Sequence, residues 1–226
     1  RDADNWPGRA DGRGASLERA DFGIDPNDDD AWRSSTEYEG SPGVAGIGPV
    51  VDIVVNEVLT HTDPPEVDAI ELLNVSDATV DLGGWYLSDA WDSYRKYRIP
   101  DGTTLAPGAY LVFDEYDFNT TAGVDPNDFA LSGAHGDDVW LMAADAAGNL
   151  LRFVDHVEFG GAFTGEPHGR WPDGAGDLYP MTALTLGGPN SGPRLPGVVI
   201  SEIMYNPGPP ELDDLEFLEI HNRTGE

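Results

Sequence analysis

The chain has 226 residues, with 12 lysines and arginines against 42 aspartates and glutamates, for a formal net charge of -30. Such a surface repels the phosphates of nucleic acid and of anionic membranes, so neither is an expected partner. The absence of cysteine excludes disulfides, thiolate metal sites and cysteine nucleophiles, and no run of about 18 apolar residues offers a membrane span.

In chain order, residues 1–47 are rich in turn formers and carry few apolar runs. Within them "DPNDDDAWRSSTE" begins like a calcium loop, with Asp25, Asn27 and Asp29 at alternate positions. It then departs: Asp30 stands where the loop needs glycine and Thr36 where it needs a bidentate glutamate, so a plain Asp-Pro-Asn turn is the expectation.

From residue 52 the apolar pattern is short and mostly of period two, as in "DIVVNEVL", "DAIELLN", "WYLSDA", "KYRIP", "AYLVFDE", "DDVWLMAAD" and "LRFVDHVEF". Between these candidate strands lie "TDPPEVD", "DLGG", "PDGTTLAPGA", "GAHGDD" and "DAAGN", which supply the Gly, Pro, Asn and Asp that tight turns require. No stretch holds the helical spacing for more than about two turns. The class is therefore all-β, and so many short strands favour a two-sheet β-sandwich. The Gly-rich "GGPNSGP" at 187–193 reads as a linker.

Residues 198–213 repeat residues 53–68: Val54/Val199, Glu57/Glu202, Pro64/Pro209, Pro65/Pro210, Glu66/Glu211 and Asp68/Asp213 are identical, and "IELLN" at 70–74 matches "LEIHN" at 218–222. A weaker echo pairs "NWPGRADGRGASLER" (5–19) with "RWPDGAGDLYPMTAL" (170–184). Repetition of this kind predicts a tandem array. The expected domains are 1–47, the C-terminal part of a preceding module; 48–196, one complete module; and 197–226, the first strands of a following one. The opening "RDADNW" and closing "HNRTGE" suit a segment of a longer chain, with any secretion signal outside it.

The ordered set "VVNEVL", "AIELLN", "VDLGGWYLSD", "YRIPDGTTLAPGAYLVF", "GDDVWLMAADAAGNLLRFVD" and "RWPDGAG…LGGPN" resembles the lamin-tail domain in its bacterial, extracellular form. The resemblance implies an immunoglobulin-like β-sandwich and a non-catalytic role in large secreted or cell-surface proteins. Such arrays accompany spore-coat-type kinase, nuclease or other β-sandwich domains.

Among candidate chemistry, Asp63, Glu66 and Asp68 in the first inter-strand loop are the expected calcium ligands if a metal binds at all, since Ca²⁺ takes six to eight oxygens. Their partial recurrence as Glu211, Asp213 and Asp214 fits either a site or a solvated turn. Glu57 and Glu202 stand in otherwise apolar strands, where a hydrogen-bonding structural role is favoured over catalysis. The five histidines (61, 135, 156, 168 and 221) form no helical metal pair, and "DHVE" reads as a surface pair of His156 and Glu158. Trp85 and Trp140 read as packing residues, whereas exposed tryptophans, Trp171 included, would suit sugar stacking. Asn74, Asn119 and Asn222 stand in glycosylation sequons.

The leading expectation is a non-catalytic structural or interaction module, with no cofactor and with neighbouring domains of the same chain, or a protein or glycan surface, as partners. A calcium- or carbohydrate-dependent adhesion module is the first rival. A hydrolase using acidic-loop carboxylates is the second.

Overall fold

The computed structural model describes residues 6–60, 62–208 and 215–224. They divide into two compact units, residues 1–193 and 194–226. His61 and the second-copy acids Glu211, Asp213 and Asp214 lie outside the described residues.

In the first unit the chain runs through β1 (Leu17–Arg19), β2 (Trp32–Ser34), β3 (Ile53–Leu59), β4 (Ala69–Asn74), β5 (Val80–Asp81), β6 (Tyr86–Ser88), β7 (Tyr97–Arg98), β8 (Thr104–Leu105) and β9 (Tyr110–Asp114). After the single-turn helix α1 (Glu115–Phe118) come β10 (Asp137–Ala144), β11 (Leu150–Phe159), β12 (Pro167–Arg170) and β13 (Leu178–Pro180). Every strand expected from the period-two pattern is present; β5, β8, β12 and β13 are too short or too polar to have announced themselves.

Two sheets carry the unit, one ordered β13-β12-β3-β4-β9 and one ordered β11-β10-β6-β7. Ile53, Val55, Val58, Ile70 and Leu72 of the first meet Leu87, Val139, Leu141, Val157 and Phe159 of the second in one core. This is the expected β-sandwich. The run "VWLMAA" in β10 is apolar on both faces because both are covered. Val139, Leu141 and Ala143 enter the main core, while Trp140, Met142 and Ala144 join Tyr94, Leu150 and Phe153 in a second cluster on the outer face.

That outer face is covered by the first segment of the chain. Ala15 and Tyr38 pack on the second cluster, the Tyr38 ring meeting Tyr94 edge-on at 6.1 Å and Phe153 at 5.9 Å. Tyr38 N–H donates to Leu151 O, Phe153 N–H to Thr36 O, and Tyr94 O–H to Arg13 O at 2.8 Å. Residues 6–47, expected to belong with a preceding module, thus fold into the same compact unit as the sandwich, because burying Trp140 and Phe153 requires a third layer.

In the second unit β14 (Val198–Met204) and β15 (Phe217–Asn222) form a two-stranded antiparallel sheet. Its register copies that of β3 and β4 pair for pair: Ile53↔Asn74 becomes Val198↔Asn222, Val55↔Leu72 becomes Ile200↔Ile220, Glu57↔Glu71 becomes Glu202↔Glu219, and Leu59↔Ala69 becomes Met204↔Phe217. Both hairpins carry a bulge at the same place, at Asn56 and at Ser201.

Candidate functional site

The densest polar constellation forms where the closing segment, residues 170–193, folds over the outer face of the five-stranded sheet. Alternation puts Ile53 and Val55 toward the core; the bulge at Asn56 then resets the phase, so that Val58 also points inward and Glu57 points out. Glu71, directly opposite Glu57, shares that outer face. Both side chains are nevertheless fully buried, because the closing segment lies on top of them.

Their hydrogen bonds come from that segment. Glu57 accepts from Thr185 N–H at 3.0 Å and from the Thr185 hydroxyl at 3.0 Å. Glu71 accepts from Gly187 N–H and from Asn56 Nδ2 at 3.0 Å. Asn56 also donates to Asp173 Oδ1 at 3.1 Å and accepts from Gly174 N–H at 2.9 Å. Asp173 in turn accepts from Asn190 N–H at 2.9 Å and from Tyr110 O–H at 2.7 Å. Asn190 Nδ2 returns to Asn56 O and Arg170 O, both at 3.0 Å.

Two glycines make this close approach possible. A Cβ at Gly169 would lie 2.9 Å from the Asn190 side chain, and Gly174, at φ +72°, would bring one to 2.9 Å from Leu73. "GGPNSGP" is thus not the expected linker: Gly187 and Asn190 are bonded into the cluster, and Met181 bridges Pro193.

The electrostatics follow from burial. Desolvation pushes the Glu57 carboxyl up to about 7, partly offset by the Thr185 donors and reinforced by Glu71 and Asp173. Glu71 is raised for the same reason, and burial also raises the Tyr110 phenol. No cation pairs with Glu57 or Glu71 among the described residues, so the cluster is held by directed backbone and amide donors instead of charge neutralisation. The expected hydrogen-bonding role of Glu57 matches this geometry. A reacting group would need an open approach, which the closing segment occupies.

Nearby, Asp155 ties the two sheets together. Its Oδ2 accepts from Val55 N–H and from Arg170 Nη2, both at 2.7 Å, while Arg170 Nε donates to Val55 O at 2.8 Å. The sequence reading missed Asp155, Arg170, Asp173 and Asn190 because their partners lie far along the chain. Glu71 had a usable signal, its recurrence as Glu219.

Of the calcium candidates, Asp63 and Glu66 face solvent and Asp68 is buried. Asp68 accepts from Leu131 N–H at 2.9 Å, and desolvation raises its carboxyl to about 6. Among the described residues the carboxylates that converge within 4.8 Å are instead those of Asp28, Asp29 and Asp30, in a turn where Asp28 caps Asp30 N–H. Asp25 accepts from Asn27 N–H, as the expected Asx turn requires.

Among the histidines, His156 is no simple surface pair with Glu158. It stacks on Trp140 at 3.6 Å between centroids and bonds Asp138 at 2.8 Å. His168 is buried, and desolvation lowers its pKa. Trp85 and Trp140 are buried and Trp171 is exposed. Asn74 is buried with its amide donated to Ala78 O and Leu105 O, out of reach of a glycosylating enzyme.

Residues 48–161 match the family model of the Lamin Tail Domain. The chain belongs to the lamin tail domain family. No curated protein and no solved structure matches it. The lamin tail domain is an immunoglobulin-like structural and interaction module. The match ends before β12, so the closing segment that buries Glu57 and Glu71 lies beyond the matched part of the lamin tail module. No helix among the described residues is long and apolar enough to cross a membrane.

Proposed function

We propose that this chain is a non-catalytic spacer and display module from an extracellular tandem array of lamin tail domains, its partners being neighbouring domains of the same chain and a protein or glycan surface. The observation that supports the array is the pair-for-pair register of β14–β15 on β3–β4. The apolar residues whose counterparts are buried in the sandwich stand in water: Ile200 is 57% exposed where Val55 is 0%, and Ile220 is 62% exposed where Leu72 is 0%. A two-stranded sheet of this kind is marginal alone and is completed by further strands. Placement outside the cell rests on the likeness to the bacterial form of the family, and the absence of chemistry on the closure of the acidic cluster.

The test appends residues 75–193 of this chain after Asn222. Completion of a second sandwich gives a second cooperative unfolding unit and amide protection across 198–222 comparable to that of β3 and β4. Appended residues that stay unprotected, with β14–β15 still in fast exchange, would refute the array reading.

A further inference from the structure

A cleft of about 520 Å³ opens between the first segment and the edge strand β11. Its walls are apolar at Pro7, Val51 and Val154, and its polar lining comprises Arg9, Arg33, Ser34, Thr36, Asp155 and His156. Arg9 lies with its guanidinium 4.9 Å from the Phe153 ring centroid and has no hydrogen-bond or ion-pair acceptor among the described residues. Burial lowers its pKa, a shift that Tyr94 and Asp155 oppose without reversing.

The neighbouring charges are already engaged. Arg33, which also lines the cleft, donates from Nε to Glu18 at 2.7 Å. Asp155 is held by Arg170 and Val55 N–H, and His156 is bound through Nε2 to Asp138. Among the described residues Arg9 is therefore the cleft cation without a direct ion pair, Asp155 acting on it only from beyond ion-pair distance, in a chain where acids outnumber bases by 42 to 12. A guanidinium fork selects a planar carboxylate. The overall charge of -30 disfavours a ligand carrying many negative charges. The flanking prolines and valines favour an apolar group beside the carboxylate, and a volume of this size admits about two residues.

We propose that this cleft captures the C-terminal carboxylate of a peptide whose last side chain is apolar, with Arg9 as the carboxylate's partner. The inference rests on reading the chain as a non-catalytic interaction module and supplies that module with a defined ligand chemistry. It predicts that the carboxylate, not the peptide body, dominates affinity.

The test titrates acetyl-Gly-Leu with a free C-terminal carboxylate, and the same peptide as its amide, into the whole chain, read by amide chemical shifts and calorimetry. The acid is expected to bind at least about tenfold more tightly than the amide, a difference of about 1.4 kcal/mol, with shifts centred on Ser34, Val51 and Val154. Arg9→Gln abolishes that preference, Arg9→Lys keeps the charge without the fork and weakens it partly, and Arg98→Gln leaves it intact. Equal affinity for acid and amide, retention of the preference in a folded Arg9→Gln chain, or a dissociation constant for the acid weaker than about 10 mM would overturn the proposal. So would binding of glucuronate where the peptide acid fails, which would give the cleft to acidic sugars. Each of these failures leaves the appended-module experiment unaffected.

Discussion

Glu57 and Glu71 face each other across β3 and β4, both fully buried, with hydrogen-bond donors from the closing segment in place of a cation. Like charges directly opposite on a sheet repel. The pair persists because burial favours protonation and because Asn56, Thr185 and Gly187 direct donors at the oxygens.

Stability should fall as pH rises from about 4.5 toward 7. Glu57 titrates near 7 in the folded chain and Asp68 near 6, against ordinary values of 4.5 and 3.8. In that window the folded state holds protons that the unfolded state has released, so each further unit of pH favours unfolding. His168, lowered by burial, acts in the opposite sense, losing stability as pH falls below 6.5. Each pKa unit is about 1.4 kcal/mol, so Glu57→Gln should flatten the pH dependence of chemical denaturation by on the order of 2 kcal/mol. An unchanged slope in the variant would assign the pH response to other groups.

Asn56→Asp should be among the most damaging single-atom changes in the chain. It replaces the Nδ2 donor shared by Glu71 and Asp173 with an acceptor, adding another carboxyl to a buried acidic cluster. The loss should be about 3 to 5 kcal/mol at pH 7, as for a buried polar network deprived of its partner, and it should shrink at pH 5, where Glu57 of the same cluster is protonated. Thermal unfolding of both chains at the two pH values measures it.

Tyr38→Ala should lower stability by about 2 to 4 kcal/mol, the range for truncating a packed aromatic side chain. Its ring closes the second cluster over Tyr94 and Phe153. Tryptophan fluorescence should report the same event, since Trp140 lies in that cluster. An unchanged melting temperature would mean that residues 6–47 rest on the sandwich without stabilising it.

Limited proteolysis should cut first at 194–197, which is exposed and separates the two compact units. Residues 187–193 should resist, because Gly187 and Asn190 are bonded to Glu71 and Asn56. Mass spectrometry of the first fragments decides between these sites.

Millimolar calcium should move the melting temperature by less than about 2 °C, under 1 kcal/mol for a chain of this size. Asp68 is engaged by Leu131 N–H, while Asp63 and Glu66 stand in solvent. Micromolar calcium binding abolished by Asp63→Asn together with Asp68→Asn would reverse that expectation.

The strands were legible in the sequence because short apolar runs and the turns that bound them are local: "DDVWLMAAD" is closed off by "GAHGDD" and "DAAGN", and the match of "IELLN" to "LEIHN" announced a second hairpin. Residue order alone also separated the phase of Glu57 from that of Val58, but it left open whether Glu57 faced in or out. Only the tertiary structure decided that it does both, pointing away from the core yet buried beneath residues 173–190. The same holds for Asp155 with Arg170, for Asn190, and for Tyr38 over Phe153. Each contact joins groups that are many residues apart, and no local pattern encodes which distant segment will close over a given face.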